Sequence, residues 1–273
     1  MTKTLLKWNG RVEEDMQKIV FFDIDGTLLD YEKTLPASTK AAIKQLQENG
    51  VYVAIATGRA PFMFESLREE LDIESFVSFN GQYVVFENEV IYKNPLSVDE
   101  LKRLHEMARE NDETSLVFMN EKTMKANVSH SDRIEEAIGT LKFPHPERQD
   151  DFYHDKEIYQ SLVFCTTEEE EALITGKFDK FKFIRWHDLS IDVLPFGGSK
   201  AEGIKQFVKK AGFDMENVYA FGDGLNDIEM LETVGYGIAM GNAQDEVKKH
   251  ADYVTKDVSE DGILYGLRQV GLI

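Results

Sequence analysis

Short, continuous apolar runs recur along the chain, and each ends in Gly, Asp, Asn or Thr. Ile19-Val20-Phe21-Phe22 runs into Asp23-Ile24-Asp25-Gly26-Thr27-Leu28. Val51-Tyr52-Val53-Ala54-Ile55-Ala56 runs into Thr57-Gly58-Arg59, and Val218-Tyr219-Ala220-Phe221 into Gly222-Asp223-Gly224-Leu225-Asn226-Asp227. Runs that are apolar throughout, rather than alternating, mark strands buried on both faces. Between the first two, Ser38 reads as a helix N-cap, Ala42, Ile43 and Leu46 as one apolar face, and Asn49-Gly50 as the stop. This is a βαβ unit, for which the crossover is right-handed. A second helix is predicted from near Pro61 to about Leu71. Phe76 to Phe79 reads as a short strand ending at Asn80-Gly81, and Tyr83–Phe86 with Val90–Tyr92 as a hairpin around Glu87-Asn88-Glu89.

From about Asn94-Pro95 the pattern changes. A helix near Val98–Arg109, a strand near Leu116–Met119 and a helix near Arg133–Leu141 make one set. Ile158–Cys165, a helix opening on Glu168-Glu169-Glu170-Glu171, and strands near Phe181–Arg185 and Ser190–Leu194 make another. The glutamate run suits the positive end of a helix dipole. About 100 residues are enough for a separate α+β domain. The βα alternation resumes at Gly197-Gly198-Ser199-Lys200, with a helix to Ala211 and Gly212 beyond it. The strand at 218–221, a helix from about Leu225 to Glu232, a strand at Tyr236–Met240 and a short helix near Ala243–His250 follow. The expected organisation is α/β: a parallel-sheet core of residues 18–94 and 195–273, interrupted by a cap at 95–194. Residues 1–17 read as an N-terminal extension without assigned function, since Met16 lies close to the first strand and would itself be a natural start.

Side chains alternate along a strand, so Asp23 and Asp25 share one side at its tip while Ile24 points away. Gly26 then permits a sharp turn. Two carboxyls this close repel each other unless a cation lies between them or one is protonated. The pair therefore suggests a metal-dependent nucleophile beside an acid/base. Read alone, Asp23-Ile24-Asp25 could be a turn cap, Thr57 a helix cap and Lys200 a solvated helix residue. Together, three strand ends and one helix start carry the polar groups that would surround a phosphate and a divalent metal.

In that fixed order, DxDGT, ATGR, SK and GDGxND resemble the motifs of haloacid dehalogenase superfamily phosphatases. The chain is most similar to the Cof-type hydrolases, whose large α/β cap lies between the second and third motifs. The resemblance implies a Rossmann-like core and an Mg²⁺-dependent phosphatase of small phosphorylated metabolites (sugar phosphates, nucleotides or cofactor phosphates). It implies Asp23 as nucleophile, forming an aspartyl-phosphate, and Asp25 as general acid/base. Asp23, Asp223 and the Asp25 backbone carbonyl would hold Mg²⁺. The N–H groups of Ile24 and Gly58, the Thr57 hydroxyl, Lys200 and Asn226 would hold phosphate, and Asp227 would support the metal waters or Lys200. Arg59 either touches substrate or braces the sheet. Gln82 stands where relatives commonly have Ala. A sugar phosphomutase is the alternative, but the cap arginines Arg103, Arg109, Arg133, Arg148 and Arg185 do not cluster in sequence. A non-catalytic binding module is less in keeping with an intact set of repelling carboxylates.

Composition narrows the partners. At 273 residues, with 42% hydrophobic and 30% charged residues, the chain reads as a soluble globular protein. A formal net charge of −19 argues against binding nucleic acid or anionic membranes. No apolar stretch approaches the ~20 residues needed to span a bilayer. Neither a long apolar N-terminal region nor a small-residue cleavage site is present, so no signal peptide is expected. The single cysteine, Cys165, excludes an intrachain disulfide and suits the cytoplasm. Its apolar neighbours make it a core residue. His187 reads as a surface turn. Monomer and homodimer are equally compatible with the sequence.

Overall fold

The computed structural model describes residues 17–273. Of the N-terminal extension at 1–17, residues 1–16 lie outside the described residues. The chain begins with β1 (Ile19–Phe22), α1 (Ala37–Glu48), β2 (Tyr52–Ala56), α2 (Glu65–Leu71), β3 (Phe76–Ser78), β4 (Tyr83–Phe86) and β5 (Glu89–Lys93). It continues through α3 (Val98–Arg109), β6 (Ser115–Met119), β7 (Met124–Ala126), α4 (Asp132–Thr140), β8 (Gln160–Phe164), α5 (Thr167–Leu173), β9 (Phe181–His187) and β10 (Ser190–Pro195). It closes with α6 (Lys200–Ala211), β11 (Val218–Gly222), α7 (Ile228–Thr233), β12 (Tyr236–Ala239), α8 (Asp245–Lys248), β13 (Tyr253–Val254) and α9 (Gly262–Gln269).

These strands form two sheets. The larger has eight strands in the order β13-β12-β11-β1-β2-β3-β4-β5; all pairs are parallel except β3–β4 and β4–β5. From β1 the chain first winds outward through β2 and β3, then returns through α6 to build β11, β12 and β13 on the other side. The tip of β1 is thus a topological switch point, where open α/β sheets bind ligands. All four β1 residues are fully buried, which is why the run contains no polar position. Val20 and Phe22 face the cluster containing Ile43 and Leu46 of α1 and Ile263 and Leu267 of α9. Ile19 and Phe21 face Ile204 and Phe207 of α6 and Leu231 of α7.

The second sheet, β7-β6-β8-β10-β9, is antiparallel throughout. One face packs Leu116, Phe118, Val163, Ile191 and Val193 against Leu101 and Leu104 of α3. Cys165 lies in the same cluster and is fully buried, as its neighbours predict. The other face carries Val117, Met119 and Leu162 beside Ile134 and Ile138 of α4.

Several local details differ from the sequence reading. α1 starts at Ala37 behind Pro36, so Ser38 lies in its first turn rather than at its cap. Proline presets the entry φ and needs no N–H partner there. The glutamate run does open α5, but Thr166 and Glu169 form a capping box, and Glu169 and Glu170 pair with Arg133 and Arg185. β7, β13 and α9 are additional elements; two or three strand residues and a Gly-containing eight-residue helix carry little periodic signal.

Helix α6 is set very close to the sheet edge. Ser199 caps it by accepting from the Glu202 N–H at 3.3 Å. A Cβ on Gly203 would lie 2.5 Å from Val77 Cγ1 and 2.6 Å from Gly81 Cα. Gly→Ala within a helix normally gains ~1 kcal/mol. Here overpacking outweighs that gain, and Gly203→Ala is expected to lower stability by about 2 kcal/mol. Thermal unfolding checks it: the midpoint should fall by roughly 5 °C, and a rise would contradict the close-packing account.

Candidate active site

Asp23 follows β1 directly, and its N–H donates to the Phe221 carbonyl at 3.0 Å, locking the tips of β1 and β11 together. Gly26 turns the chain at φ +78°, and a side chain there would collide with the Asp223 carboxylate. That turn lets Thr27 Oγ1 donate to Asp223 Oδ1 at 2.8 Å. Asn242 Nδ2 donates to the Gly26 carbonyl at 2.8 Å and holds the turn from outside.

The ε-ammonium of Lys200, at the first turn of α6, is buried between two carboxylates. It donates to Asp23 Oδ1 at 2.6 Å and to Asp227 Oδ1 at 2.7 Å. Asp227 Oδ2 accepts from the N–H groups of Asp223 (3.0 Å) and Gly224 (2.9 Å). Asp227 is thereby occupied on both oxygens, and it fixes Lys200 and the loop that bears Asp223. Burial alone would lower the Lys200 pKa, but Asp227 and Asp23 outweigh it and hold the ammonium charged. Burial pushes Asp23 up to about 8; Lys200 opposes the shift and Asp227, Asp223 and Asp25 add to it. Burial, then Asp227, lifts Asp223 to about 6.

Asp25 has the opposite environment. Arg59 grips it with Nε at 2.8 Å and Nη2 at 2.6 Å, and Lys33 Nζ donates at 2.6 Å. Burial pushes its carboxyl up, but hydrogen bonds and charge from Arg59 and Lys33 more than offset this and hold it below the usual range. Arg59 thus contacts a candidate catalytic group instead of bracing the sheet. Lys33 escaped the sequence reading because it lies in a loop, in a left-handed conformation at φ 59°. Thr57 is buried, and its Oγ1 accepts from the Arg59 N–H at 3.1 Å, a local turn bond. The Ile24 side chain is core, so any contact it makes with a ligand is through its backbone.

One carboxylate oxygen each from Asp23, Asp223 and Asp227 lie within 4.8 Å of one another. Lys200 is the ammonium set against these three acids. Hard oxygen donors in such excess fit a small divalent cation such as Mg²⁺. His130, Asp132 and Glu135 form another cluster, but all three are exposed on the surface.

A cavity of about 280 Å³ opens over these groups. Asp23, Asp25, Thr57, Gly58, Arg59 and Asn226 lie on its core side. Asn226 Nδ2 donates to Asn80 Oδ1 at 3.2 Å, and Asn80 Nδ2 to Asp192 Oδ2 at 3.3 Å. Asn80 therefore links the core loop to β10. Lys200, Asp223 and Asp227 are not on this lining: Lys200 and Asp227 are buried next to Asp23, and Asp223 is half-buried. Asp192, Gln160 and Trp186, which the sequence reading did not single out, line the cap side. Trp186 stands one residue from His187, which donates nothing to the cavity; the His187 ring accepts from the Leu189 N–H in its turn.

Comparison with known proteins decides what this arrangement belongs to. The family model for haloacid dehalogenase-like hydrolases matches residues 20–267. The chain belongs to that family. A Bacillus subtilis protein named "Putative phosphatase YkrA" is 53% identical over 256 residues, 94% of this chain and 98% of that protein. The B. subtilis 5-amino-6-(5-phospho-D-ribitylamino)uracil phosphatase YcsE is 31% identical, over 92% of this chain and 94% of its own length. A Geobacillus kaustophilus crystal structure, 57% identical, superimposes with TM-score 0.90 over 94% of this chain and all of that one. As a member of this family the protein is a phosphoric monoester hydrolase acting on small phosphorylated substrates, on a Rossmann-like core with a cap.

The Lys200 pairing gives a test independent of catalysis. Replacing Lys200 with Met leaves two buried carboxylates facing each other, and should destabilise the fold by about 3–5 kcal/mol. Adding Asp227→Asn should restore at least ~1 kcal/mol of that loss. Urea unfolding of the single and double variants at pH 8 measures both; strict additivity would rule out the coupling.

Proposed function

We propose that the protein is an Mg²⁺-dependent phosphatase that hydrolyses small phosphorylated metabolites through an aspartyl-phosphate on Asp23. The observation that carries this reading is the placement of Asp23: at the switch-point tip of the central strand, against Lys200, beside Asp223, and on the wall of the cavity. Asp23, Asp223 and the Asp25 backbone carbonyl would hold Mg²⁺. The bound cation supplies positive charge that lets a carboxylate approach a phosphate dianion.

In the first step an Asp23 carboxylate oxygen bonds to phosphorus as the bond to the leaving oxygen breaks, and Asp25 gives that oxygen its proton. In the second, Asp25 takes a proton from water, which attacks phosphorus, frees inorganic phosphate and restores the Asp23 carboxylate. Lys200, Asn226, the Thr57 hydroxyl and the N–H groups of Ile24 and Gly58 hold the phosphate oxygens. Asp25 must be protonated in step one, whereas Arg59 and Lys33 favour its charged form. An entering phosphate competes for these two cations, weakens their grip, and raises the proton affinity of Asp25. Sugar phosphates, nucleotides and cofactor phosphates form the candidate substrate class, and the name of YcsE supports a metabolite of this size. We place the reaction in the cytoplasm and require no partner chain for it. A mutase would need a second anion site. Instead Arg103, Arg133, Arg148 and Arg185 are paired with acids, and no cap arginine lines the cavity.

Phosphate release should require Mg²⁺, stop in excess EDTA, and fall at least about a thousandfold in Asp23→Asn. Retained turnover in that variant would remove Asp23 as nucleophile. Protons compete with the cation for Asp23 and Asp223, whose pKa values are raised to about 8 and about 6. Mg²⁺ affinity is therefore expected to rise about tenfold or more from pH 6 to pH 8, with proton release on binding. Calorimetry in buffers of different ionisation enthalpy measures that release; a pH-independent affinity would contradict the assignment of these ligands.

A further inference from the structure

The two ends of the cavity differ in chemistry. The core end is charged, whereas the cap end is walled by Met119, Ile138, Leu141, Leu162 and Trp186, with Met63 opposite. Hydroxyl groups pressed against such walls lose water without gaining partners, while a flat ring gains buried area and can stack on the indole. Apart from the indole N–H, the cap brings only Gln160 and Asp192 as polar groups to this cavity.

Asp192 is buried, with 8% of its surface exposed, and forms no ion pair with any described residue. Its two bonds are to neutral amides: Gln160 Nε2 donates to Oδ1 at 2.9 Å, and Asn80 Nδ2 to Oδ2 at 3.3 Å. Asn226 occupies the Asn80 oxygen, which orients Asn80 as a donor toward Asp192. Burial pushes the Asp192 carboxyl up to about 8, with the Asn80 and Gln160 bonds opposing the shift, and whether charged or neutral it keeps an acceptor position free. Gln160 Oε1 and Trp186 Nε1 are also buried without partners. The Gln160–Asp192 bond is not needed to join its strands, because β8 and β10 already pair through Leu162 and Asp192. A buried acid held only by neutral amides, with two unpaired polar atoms on the same cavity, is costly for folding and points to a ligand.

We propose that Asp192 is the residue with which the cap selects the leaving group, by accepting a hydrogen bond from a donor carried on a flat, mainly apolar ring. The favoured substrates are then phosphate esters of hydroxylated or amine-bearing aromatic and heteroaromatic alcohols, in preference to polyol phosphates. This inference rests on the phosphatase reading above, with phosphate at the Asp23 end. Asp192 takes no part in bond making; it positions the ring.

Three esters test it: 3-hydroxybenzyl phosphate, benzyl phosphate and sorbitol 6-phosphate. In the wild-type protein with Mg²⁺, kcat/KM for the hydroxylated ring should exceed that for the plain ring about tenfold, equivalent to ~1.4 kcal/mol, and both rings should exceed the polyol. In Asp192→Asn the advantage of the ring hydroxyl should shrink to within about threefold. Calorimetric binding of the same esters to Asp23→Asn and to Asp23→Asn/Asp192→Asn, without turnover, should follow the same order. A preference for the polyol, or an unchanged hydroxyl advantage in Asp192→Asn, overturns the proposal. Equal losses on all three esters would make Asp192 structural and overturn it too. Binding selectivity without any phosphate release would remove the phosphatase reading and leave the recognition by Asp192 standing.

Discussion

The Lys200 ammonium, buried between Asp23 and Asp227, is the contact on which the site's arrangement turns. It joins the tip of β1, the start of α6 and the loop after β11, segments that lie far apart in the chain. A lone buried charge is costly in a protein interior, and two carboxylates facing each other without Lys200 would cost more. The three groups are therefore held together or not at all. The close approach of α6, permitted by Gly203 against Gly81, sets where that ammonium stands. Stability and the geometry of the site thus depend on the same packing.

Around this contact the charge is divided unevenly. Asp23 and Asp223 remain in carboxylate excess, with their acidity suppressed by burial, while Asp25 is flanked by two cations that strengthen its acidity. Neighbouring acids in opposite environments can take different tasks, one as ligand and nucleophile, the other in proton transfer. This local division also reconciles a chain of net charge −19 with an anionic substrate. The field at the cavity wall is set locally by Lys200, Arg59 and Lys33, which hold Asp23 and Asp25, whereas distant surface charge is screened.

The cap completes the cavity by contacts of several kinds. Asn80 reaches Asp192, Lys182 pairs with Glu229 at 3.1 Å, and the Tyr159 ring stacks with Phe79 at 5.6 Å. These contacts close an apolar roof over a charged floor. Apolar surface of this kind lowers the local dielectric and so strengthens electrostatic interactions beneath it. On the proposal made for Asp192, the roof rather than the floor would distinguish one phosphate ester from another.

By itself the sequence determined the α/β class, the buried strands and the cluster of motif residues, because those features are local. A strand buried on both faces must be apolar throughout; Asp23 and Thr57 follow such a run directly, and Asp223 follows one after a single glycine. Tertiary structure alone decided the pairings across the fold. Lys33 and Arg59 close on Asp25 from different loops, Asn80 bridges Asn226 to Asp192, and Trp186 rather than its neighbour His187 meets the cavity. None of these partners is within helical or strand spacing of the group it touches, so no periodicity announces it. Asp192 shows the limit most plainly. In sequence it is one of two polar positions, with Ser190, at the start of an otherwise apolar strand, an ordinary alternation. Only the packing of β10 over the tip of β1 makes it a buried acid on the wall of the site.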